Sequence, residues 1–442
     1  MIKLYEGLRV LLFPVLRFLL PLISQTAKRR IDFELCNLVE VNRLKRAEYG
    51  FEISSEGEFQ QVLFLIEYLL EKQKTIEIIY CSESVEYKIK TLTKKYSEQV
   101  RTLRMPLLTY KPWVQRQNVY KWLTCHTLFM CRYDFFPELI FYGKNKAKNF
   151  YLLSASSKNF ISKSGVSKQY LKYCYKSFHR IVSATNEDFE RFIEYKIIDK
   201  EKSFCADLRS LQILERLKVA ETKLSQEFPV FNQFQKKVLD KSKSSCLFGS
   251  FWSYEAPIFA GVGPEDLFET SYCLAPHKLD KSHLLDIIHE LSKYQLAVYI
   301  LTKETTNQQL LSLIAEYREN PGIWLFDVRG VLCEMYSQFD CAYIGGGFGE
   351  SVHSVLEPFL AGCGTVCGPK TQRSSEYDYA YNIDPNNIST AHSYNEVLPN
   401  LKKYSDSKRE NTVVNIPFKI DELLDFLNLN LRGDDGASEK LS

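Results

Sequence analysis

The pattern of this chain predicts an α/β fold of two doubly wound parallel sheets. Three observations carry that expectation. Apolar runs of strand length alternate with amphipathic stretches at helical spacing, the signature of a parallel sheet covered by helices on both faces. The alternation occurs twice, once from Tyr49 onward and again from Cys246 onward. Between the two series lies a long, polar, helical segment, 200–245, that suits a connector. A chain of 442 residues with 45% hydrophobic content has room for two or three domains with sizeable cores.

In the first series, 51–53 reads as a strand. The stretch 58–72 reads as a helix, with Phe59, Val62, Leu63, Ile66, Leu69 and Leu70 at helical spacing. The Ile-rich 75–80 and the stretch 149–155 read as further strands. Ile181 to Ala184 runs into Thr185-Asn186-Glu187-Asp188, a helix start with a polar cap and early acids. The second series places strands at 246–248, 272–275, 297–301, 323–326, 341–344 and 365–367, and a final amphipathic helix at 420–429. The Gly-, Asp- and Ser-rich tail from Arg432 is expected to be disordered. The domain boundaries expected from this are 1–30, an N-terminal anchor; 31–210, a first Rossmann-like domain; 211–244, a connector; 245–430, a second Rossmann-like domain; and 431–442, the tail. Two such sheets place a ligand in the cleft between them, at the carboxyl ends of strands.

A net charge of +3 gives no basis for a nucleic-acid partner. The 27 Tyr and 29 Phe are scattered through apolar segments, as core packing requires. Twelve Cys without a CxxC pair suggest neither a zinc site nor a disulfide framework, and point to a reducing cytoplasm. Cys363 and Cys367 flank a strand and read as buried thiols.

The N-terminus is strongly apolar from Leu8 to Ile23, but Arg9, Arg17, Pro14 and Pro21 interrupt it and Lys28-Arg29-Arg30 follows. A spanning helix needs roughly 20 apolar residues, and no small-residue cleavage site marks a signal peptide. An interfacial anchor with a basic flank fits this pattern. A marginal spanning helix and a soluble amphipathic helix are the alternatives.

The stretch Cys341-Ala342-Tyr343-Ile344-Gly345-Gly346-Gly347-Phe348-Gly349-Glu350-Ser351-Val352-His353-Ser354-Val355-Leu356-Glu357-Pro358 is the most informative. A strand enters a glycine-rich turn that lets backbone approach a ligand closely. A helix start follows, which offers free N–H groups to a phosphate. Glu357, four residues after His353, shares its helix face and can accept bonds from ribose hydroxyls. A strand–turn–helix joint without a ligand is the competing reading.

Gly345-Gly346-Gly347, then His353-Ser354-Val355-Leu356-Glu357, then Gly368-Pro369 resembles the donor motif of 3-deoxy-D-manno-octulosonic acid (Kdo) transferases: Gly-Gly-(Ser or Gly), a short loop, His-Asn-x-Leu-Glu, and later Gly-Pro. Ser354 replaces the usual Asn. These are membrane-associated enzymes of GT-B architecture, two Rossmann-like domains, that add Kdo to lipid A precursors. The resemblance runs from the N-terminus to about Pro385 and is weakest over 85–130. Arg-rich segments common in the family are missing near Ser154-Ala155-Ser156-Ser157.

Further motifs follow in the family's order. Ser55-Glu56-Gly57-Glu58 looks like the Ser-x-Gly-Glu segment, whose Glu is the family's proposed general base; on chemistry alone Glu58 can equally favour a helix N-terminus. Arg132-Tyr133-Asp134-Phe135-Phe136-Pro137 resembles Glu-x-Glu-(Leu or Phe)-Trp-Pro, with Asp134 as the second acid, Phe136 for Trp, and Arg132 where the first acid stands. Taken alone, Arg132 is equally half of a structural ion pair. Asp207-Leu208-Arg209 looks like the segment ending the first domain, where a basic residue offsets charge developing on CMP; an exposed helical arginine is the alternative. Phe248-Gly249-Ser250-Phe251-Trp252 resembles a Gly-Ser-Thr-(His or Trp) turn, and Ala275-Pro276-His277-Lys278 the Pro-Arg-His segment, with His277 in the Arg position. Arg329, Gly330 and Val331 match a turn that contacts CMP.

The resemblance therefore implies an inverting transfer of Kdo from CMP-Kdo to a lipid A precursor (lipid IVA) at the cytoplasmic face of a bacterial inner membrane. Glu58, Arg132, Asp134 and Arg209 would carry the chemistry. Ser250, Pro276, His277, Arg329, Gly330, Val331, Gly346, Gly347, Ser354, Val355, Leu356 and Glu357 would hold CMP. It implies no metal and no cofactor besides the donor substrate. A GT-B transferase using another nucleotide sugar, and a diverged inactive homologue at the membrane, are the other readings.

Overall fold

A computed structural model describes residues 2–38, 44–111, 118–132, 134–372, 374–406, 414 and 416–430. Contacts divide the chain into two compact units, Met1–Gln212 with Phe418–Ser442, and Ile213–Pro417.

The first unit holds a seven-stranded parallel sheet. Its strands are β1 (Tyr49–Ile53), β2 (Ile76–Tyr80), β3 (Val100–Arg104), β4 (Thr127–Cys131), β5 (Asn149–Ala155), β6 (Arg180–Ser183) and β7 (Ser203–Cys205), in spatial order β3-β2-β1-β4-β5-β6-β7. β1, β2 and β4 are buried along their whole length, which is why they read as nearly continuous apolar runs. The predicted cap at Thr185 forms, its hydroxyl accepting the N–H of Asp188 at 3.1 Å.

β3 is harder to read because it carries Arg101 and Arg104. Each has a carboxylate waiting for it. Arg101 lies in register with Glu77 on β2 and donates to it from Nε at 2.9 Å, while Glu77 also accepts the N–H groups of Thr124 and Cys125. Arg104 pairs with Glu86.

The second unit holds another seven-stranded parallel sheet: β8 (Ser244–Phe251), β9 (Thr270–Pro276), β10 (Ala297–Thr302), β11 (Gly322–Asp327), β12 (Cys341–Ile344), β13 (Gly364–Cys367) and β14 (Ile388–Thr390), in the order β10-β11-β9-β8-β12-β13-β14. Cys363 and Cys367 are buried at the two ends of β13.

Two segments depart from the sequence reading. The expected connector is part of the second unit's core. Its helices (Ala220–Glu227 and Phe231–Lys237) bring Phe228, Phe231 and Phe234 to full burial, packed on Phe326 and Trp324. Phenylalanines spaced among lysines and glutamines look polar in sequence yet line one face. The final helix, Ile420–Phe426, belongs with the first unit rather than the second. Phe426 and Phe418 pack on Phe204, and Tyr68 donates its hydroxyl to the Leu429 carbonyl. The tail, 431–442, lies outside the described residues.

The N-terminal run is helical from Ile2 to Ile23, with a π-helical stretch at Val15–Leu19 after Pro14. Among the described residues, no helix is long and apolar enough to cross a membrane. The run is tied to the first unit by Arg9, which pairs with the buried Glu138, donates to the Pro106 carbonyl at 2.6 Å and stacks over Tyr110. The next helix, Gln25–Leu35, is tied more deeply. Glu34 is fully buried and accepts the N–H groups of Leu107, Leu108 and Thr109, the Thr109 hydroxyl and Nε of Arg30.

The described residues 2–35 are therefore joined to the α/β body by charge, not merely leashed to it. Replacing Glu34 by Ala strands three backbone donors, and is expected to destabilise the first unit by about 3 kcal/mol or more. Urea unfolding measures this; an unchanged midpoint would show that the 107–109 loop is held by something else.

Candidate active site

In each sheet the strand order reverses at one pair of neighbours, β1 and β4 in the first and β8 and β12 in the second. Open α/β sheets bind ligands outside the carboxyl ends of strands at such a point. The residues singled out in the sequence lie at or just after the carboxyl ends of strands in the two sheets.

In the first unit the helix Glu56–Glu71 starts just after β1. Ser55 caps it, its hydroxyl accepting the Glu58 N–H at 3.3 Å. The Glu58 side chain turns back, and its Oε2 accepts the N–H of Ser54 at 2.6 Å. Glu58 is buried, and burial raises its pKa. The Ser54 bond pulls it back, the nearby Asp134 raises it again and Arg132 lowers it. Arg132 and Asp134 leave the end of β4. Arg132 adopts a left-handed backbone, φ 62°, and donates from Nε to Gln61 Oε1 at 3.3 Å. Three of the four expected chemical residues thus share one electrostatic site. Arg209 is engaged elsewhere. Its N–H and Nε reach Asp207 Oδ1 at 3.0 and 2.9 Å, so its charge is already offset by a neighbour two residues away.

In the second unit the glycine turn after β12 is built by close backbone contact. A Cβ on Gly345 would meet the Ser250 carbonyl, and one on Gly347 would meet Gly368, each within 3 Å. Gly346 has φ 90°, and its N–H is committed to Glu255 Oε1 at 2.9 Å, so it is not free for a phosphate. Glu255 is fully buried and also accepts from the Tyr343 hydroxyl at 2.7 Å and the Trp252 N–H at 3.0 Å. Burial lifts it to about 7 against the pull of those bonds.

The helix start differs from the sequence reading. The helix is a single turn, Leu356–Leu360, so His353 lies in the preceding loop and does not share a helix face with Glu357. Its ring stacks on His277, centroids 4.1 Å apart, and its Nε2 accepts the Trp252 indole N–H at 3.1 Å. Trp252 also stacks on His277, at 4.5 Å, beside the His353 ring to which it donates. His277 is lowered to about 4, by burial first and then by His353, Lys278 and His283. Pro276 ends β9 and is buried. The side chains of Val331, Val355 and Leu356 are in the core, leaving only their backbone for a ligand. Ser250 and Ser354 are half-buried, and Arg329 is exposed. Gly330 sits at φ 85° with open space above it.

Glu357 is 23% exposed and accepts from Nη1 of Arg216 at 3.1 Å. Arg216 also holds the buried Glu334 with two bonds, at 2.8 and 2.9 Å. Lys223 reaches both Glu334, at 2.8 Å, and the Gly330 carbonyl, at 2.9 Å. One ion network therefore ties the Arg329–Val331 turn to Glu357. Arg216 and Lys223 come from the expected connector and carry no local motif, which is why sequence reasoning passes over them. Glu255 is missed for the same reason. Burial raises Glu357, and Arg216 opposes it. Burial would raise Glu334 too, but Arg216 and Lys223 hold it below its ordinary 4.5.

No family model matches the chain. Over 114 residues, 23% of this chain and 26% of the other, it is 25% identical to a 3-deoxy-D-manno-octulosonic acid transferase of Chlamydophila psittaci (strain ATCC VR-125 / 6BC). The match thus spans about a quarter of that curated relative's length. Among solved structures, UDP-GlcNAc 2-epimerase from Neisseria meningitidis, bound to UDP-GlcNAc, matches at TM-score 0.56 and 11% identity, over 87% of this chain and 100% of that one. The UDP-GlcNAc 2-epimerase from Methanocaldococcus jannaschii matches at TM-score 0.52 and 11% identity, over 83% and 96%. The fold is of the GT-B type. At these identities the two structures speak for fold alone.

Replacing Arg216 by Met leaves Glu334 buried with one partner, and is expected to destabilise the second unit by about 3 kcal/mol. The pH dependence has a definite sign. A carboxyl lowered in the folded state stabilises above its unfolded pKa, and that contribution disappears as pH falls through the folded value. Removing Arg216 raises the folded value, so acid destabilisation should begin at higher pH in the variant. Thermal melts from pH 7 to 3 measure this; superimposable curves would show that Arg216 does not support Glu334.

Proposed function

We propose that this protein is a GT-B glycosyltransferase that moves Kdo from CMP-Kdo to a glucosamine hydroxyl of a lipid A precursor, with inversion. The observation that carries the reading is the Glu58 site. A buried carboxyl with a raised pKa stands at the switch point of the first sheet, beside Arg132 and Asp134, on a segment resembling the Kdo transferase base motif. The short identity to a Kdo transferase supports it. Glu58 would accept the acceptor hydroxyl's proton as that oxygen bonds the anomeric carbon and the bond from that carbon to the CMP phosphate oxygen breaks. A base raised toward neutrality suits this task. In the second unit, the Glu357 carboxylate, oriented by Arg216, would accept from the ribose, and the Arg329–Val331 turn would offer backbone to CMP.

A different nucleotide-sugar donor is the second reading. The fold is shared with epimerases, one of them bound to UDP-GlcNAc, and Gly346 lacks a free N–H for the phosphate. Incubation with CMP-Kdo or UDP-sugars and a tetra-acylated lipid A precursor, read by product mass, separates the two. Glu58→Gln cannot take a proton and is expected to lose roughly 10² to 10⁴ in rate with the fold intact. Near-full turnover in that variant would remove Glu58 as base.

We also propose that the N-terminal run lies in a membrane interface, at the cytoplasmic face. Its polar side is used on the first unit through Arg9, while Leu4, Leu8, Leu11, Leu12, Val15, Phe18, Leu19, Leu22 and Ile23 face outward, with Leu22 and Ile23 80% and 82% exposed. An apolar face turned away from its own core needs another apolar phase. Lys28 and Arg29, exposed beside it, would each add about 1 kcal/mol near anionic lipid. Vesicle flotation is expected to show tighter binding to anionic than to neutral vesicles, weakened by salt, and lost when Leu11, Leu22 and Ile23 become Ser. Absence of binding to either vesicle would defeat the assignment.

A further inference from the structure

We propose that Glu52 is a positioning residue for Glu58: a buried, neutral carboxylic acid that fixes Ser54, and through Ser54 the carboxylate of Glu58. The proposal rests on the reading of Glu58 as the base.

Glu52 is the fourth residue of β1, between β2 and β4 in the centre of the first sheet, and is 1% exposed. A carboxyl in that place is unusual, since the neighbouring strand residues are Ile79 and Met130. Ser54 holds both acids. Its hydroxyl donates to Glu52 Oε1 at 2.6 Å, and its N–H donates to Glu58 Oε2 at 2.6 Å. Glu52 Oε2 is buried and has no hydrogen-bond partner among the described residues.

The groups facing Glu52 set its charge. Glu58 comes from the helix after β1, and Asp134 from the segment after β4. Cys131 ends β4, and Cys81 follows β2. The cations nearby are occupied: Arg132 bonds Gln61, and Arg30 bonds Glu34 and the Cys81 carbonyl. Among the described residues no cation pairs with Glu52. An ionised Glu52 would be a buried charge beside two other carboxyl groups, and such a group takes up a proton instead. Burial raises it well above the ordinary value, the Ser54 bond draws it down, Glu58 and Asp134 raise it further, and a backbone bond from Cys131 opposes them.

This separates the two acids. Glu58 is the less deeply buried and has the Ser54 N–H on its carboxylate, so it ionises first; Glu52, deeper, keeps the proton. A neutral Glu52 gives Ser54 a fixed acceptor without placing a second negative charge beneath the base. The Ser54 backbone, held in this way, aims its N–H at Glu58.

The test uses full-length protein labelled with ¹³C at glutamate side chains, with Glu52→Gln and Glu58→Gln assigning the two carboxyl signals. Glu52 is expected to remain protonated at pH 7. The Glu58 midpoint in Glu52→Gln should stay within about half a pH unit of wild type, because an amide replaces a neutral acid. An ionised Glu52 at pH 7, or a Glu58 midpoint that falls by about one unit in Glu52→Gln, overturns the proposal. For positioning, Glu52→Leu keeps volume but removes the acceptor. Its kcat should fall by about tenfold or more with donor KM unchanged, and Glu52→Gln should recover most of the loss. A folded Glu52→Leu that transfers at the wild-type rate also overturns it. If Glu52→Leu does not fold, the titration of Glu52→Gln decides. Should Glu58→Gln transfer normally, the base assignment fails, and the titration still reports separately whether Glu52 is neutral.

Discussion

Glu255 is the point on which the second unit's candidate site is assembled. The strands β8 and β12 pair only as far as Gly249 and Ile344, and beyond that the two chains must part while still packed backbone to backbone. A gap there would leave the N–H groups of Trp252 and Gly346 and the Tyr343 hydroxyl without acceptors. One carboxylate takes all three. The glycines permit the close approach, and Glu255 makes it specific. Neither device alone would suffice: glycines without an acceptor leave a floppy loop, and an acceptor without glycines collides with the Ser250 carbonyl.

The same solution recurs. Glu34 gathers the 107–109 loop, Glu77 gathers Thr124 and Cys125, and Glu334 gathers Arg216 and Lys223. In the first two, a buried acid collects backbone donors that secondary structure cannot satisfy, because they lie in loops entering or leaving a strand; Glu334 instead collects side-chain cations from two helices. The pattern divides by charge balance. Glu34, Glu77 and Glu334 have an arginine beside them. Glu255 has only neutral donors and is lifted to about 7. Glu52 has the Ser54 hydroxyl and a backbone bond from Cys131, no cation among the described residues, and lies at the end of that series.

The architecture was legible because strands buried on both faces are largely apolar, as β12 and the centre of β5 are, and the ends of both were read to the residue. It was least legible where charge enters the sheet. β3 looks polar until Glu77 and Glu86 are seen to neutralise its arginines. The expected connector misled in the opposite sense, since its phenylalanines are diluted by lysines along the sequence and concentrated only on the folded helix face. At the site, the residues proposed from sequence, among them Glu58, Asp134 and Glu357, are those that sit in a recognisable motif. Those acting from a distance in sequence were missed: Arg216 lies 141 positions from Glu357. The His353 misreading is local. Periodicity placed it on a helix, but stacking on His277 and the bond from Trp252 hold it in the loop, and the helix waits until Leu356.

The two readings of Glu58, helix-terminal anchor and base, describe one geometry. As the third residue of its helix, it donates its N–H to the Ser55 hydroxyl, and its carboxylate accepts the Ser54 N–H. A surface residue in this arrangement would have a lowered pKa, because the helix N-terminus and the N–H bond both favour the anion. Here burial outweighs them, and the pKa is raised. The anchoring bond occupies Oε2 and fixes the side chain's rotamer. Oε1 is the other oxygen, on a carboxyl whose proton affinity burial has increased. A carboxylate held through Oε2 suits the proton abstraction proposed for it.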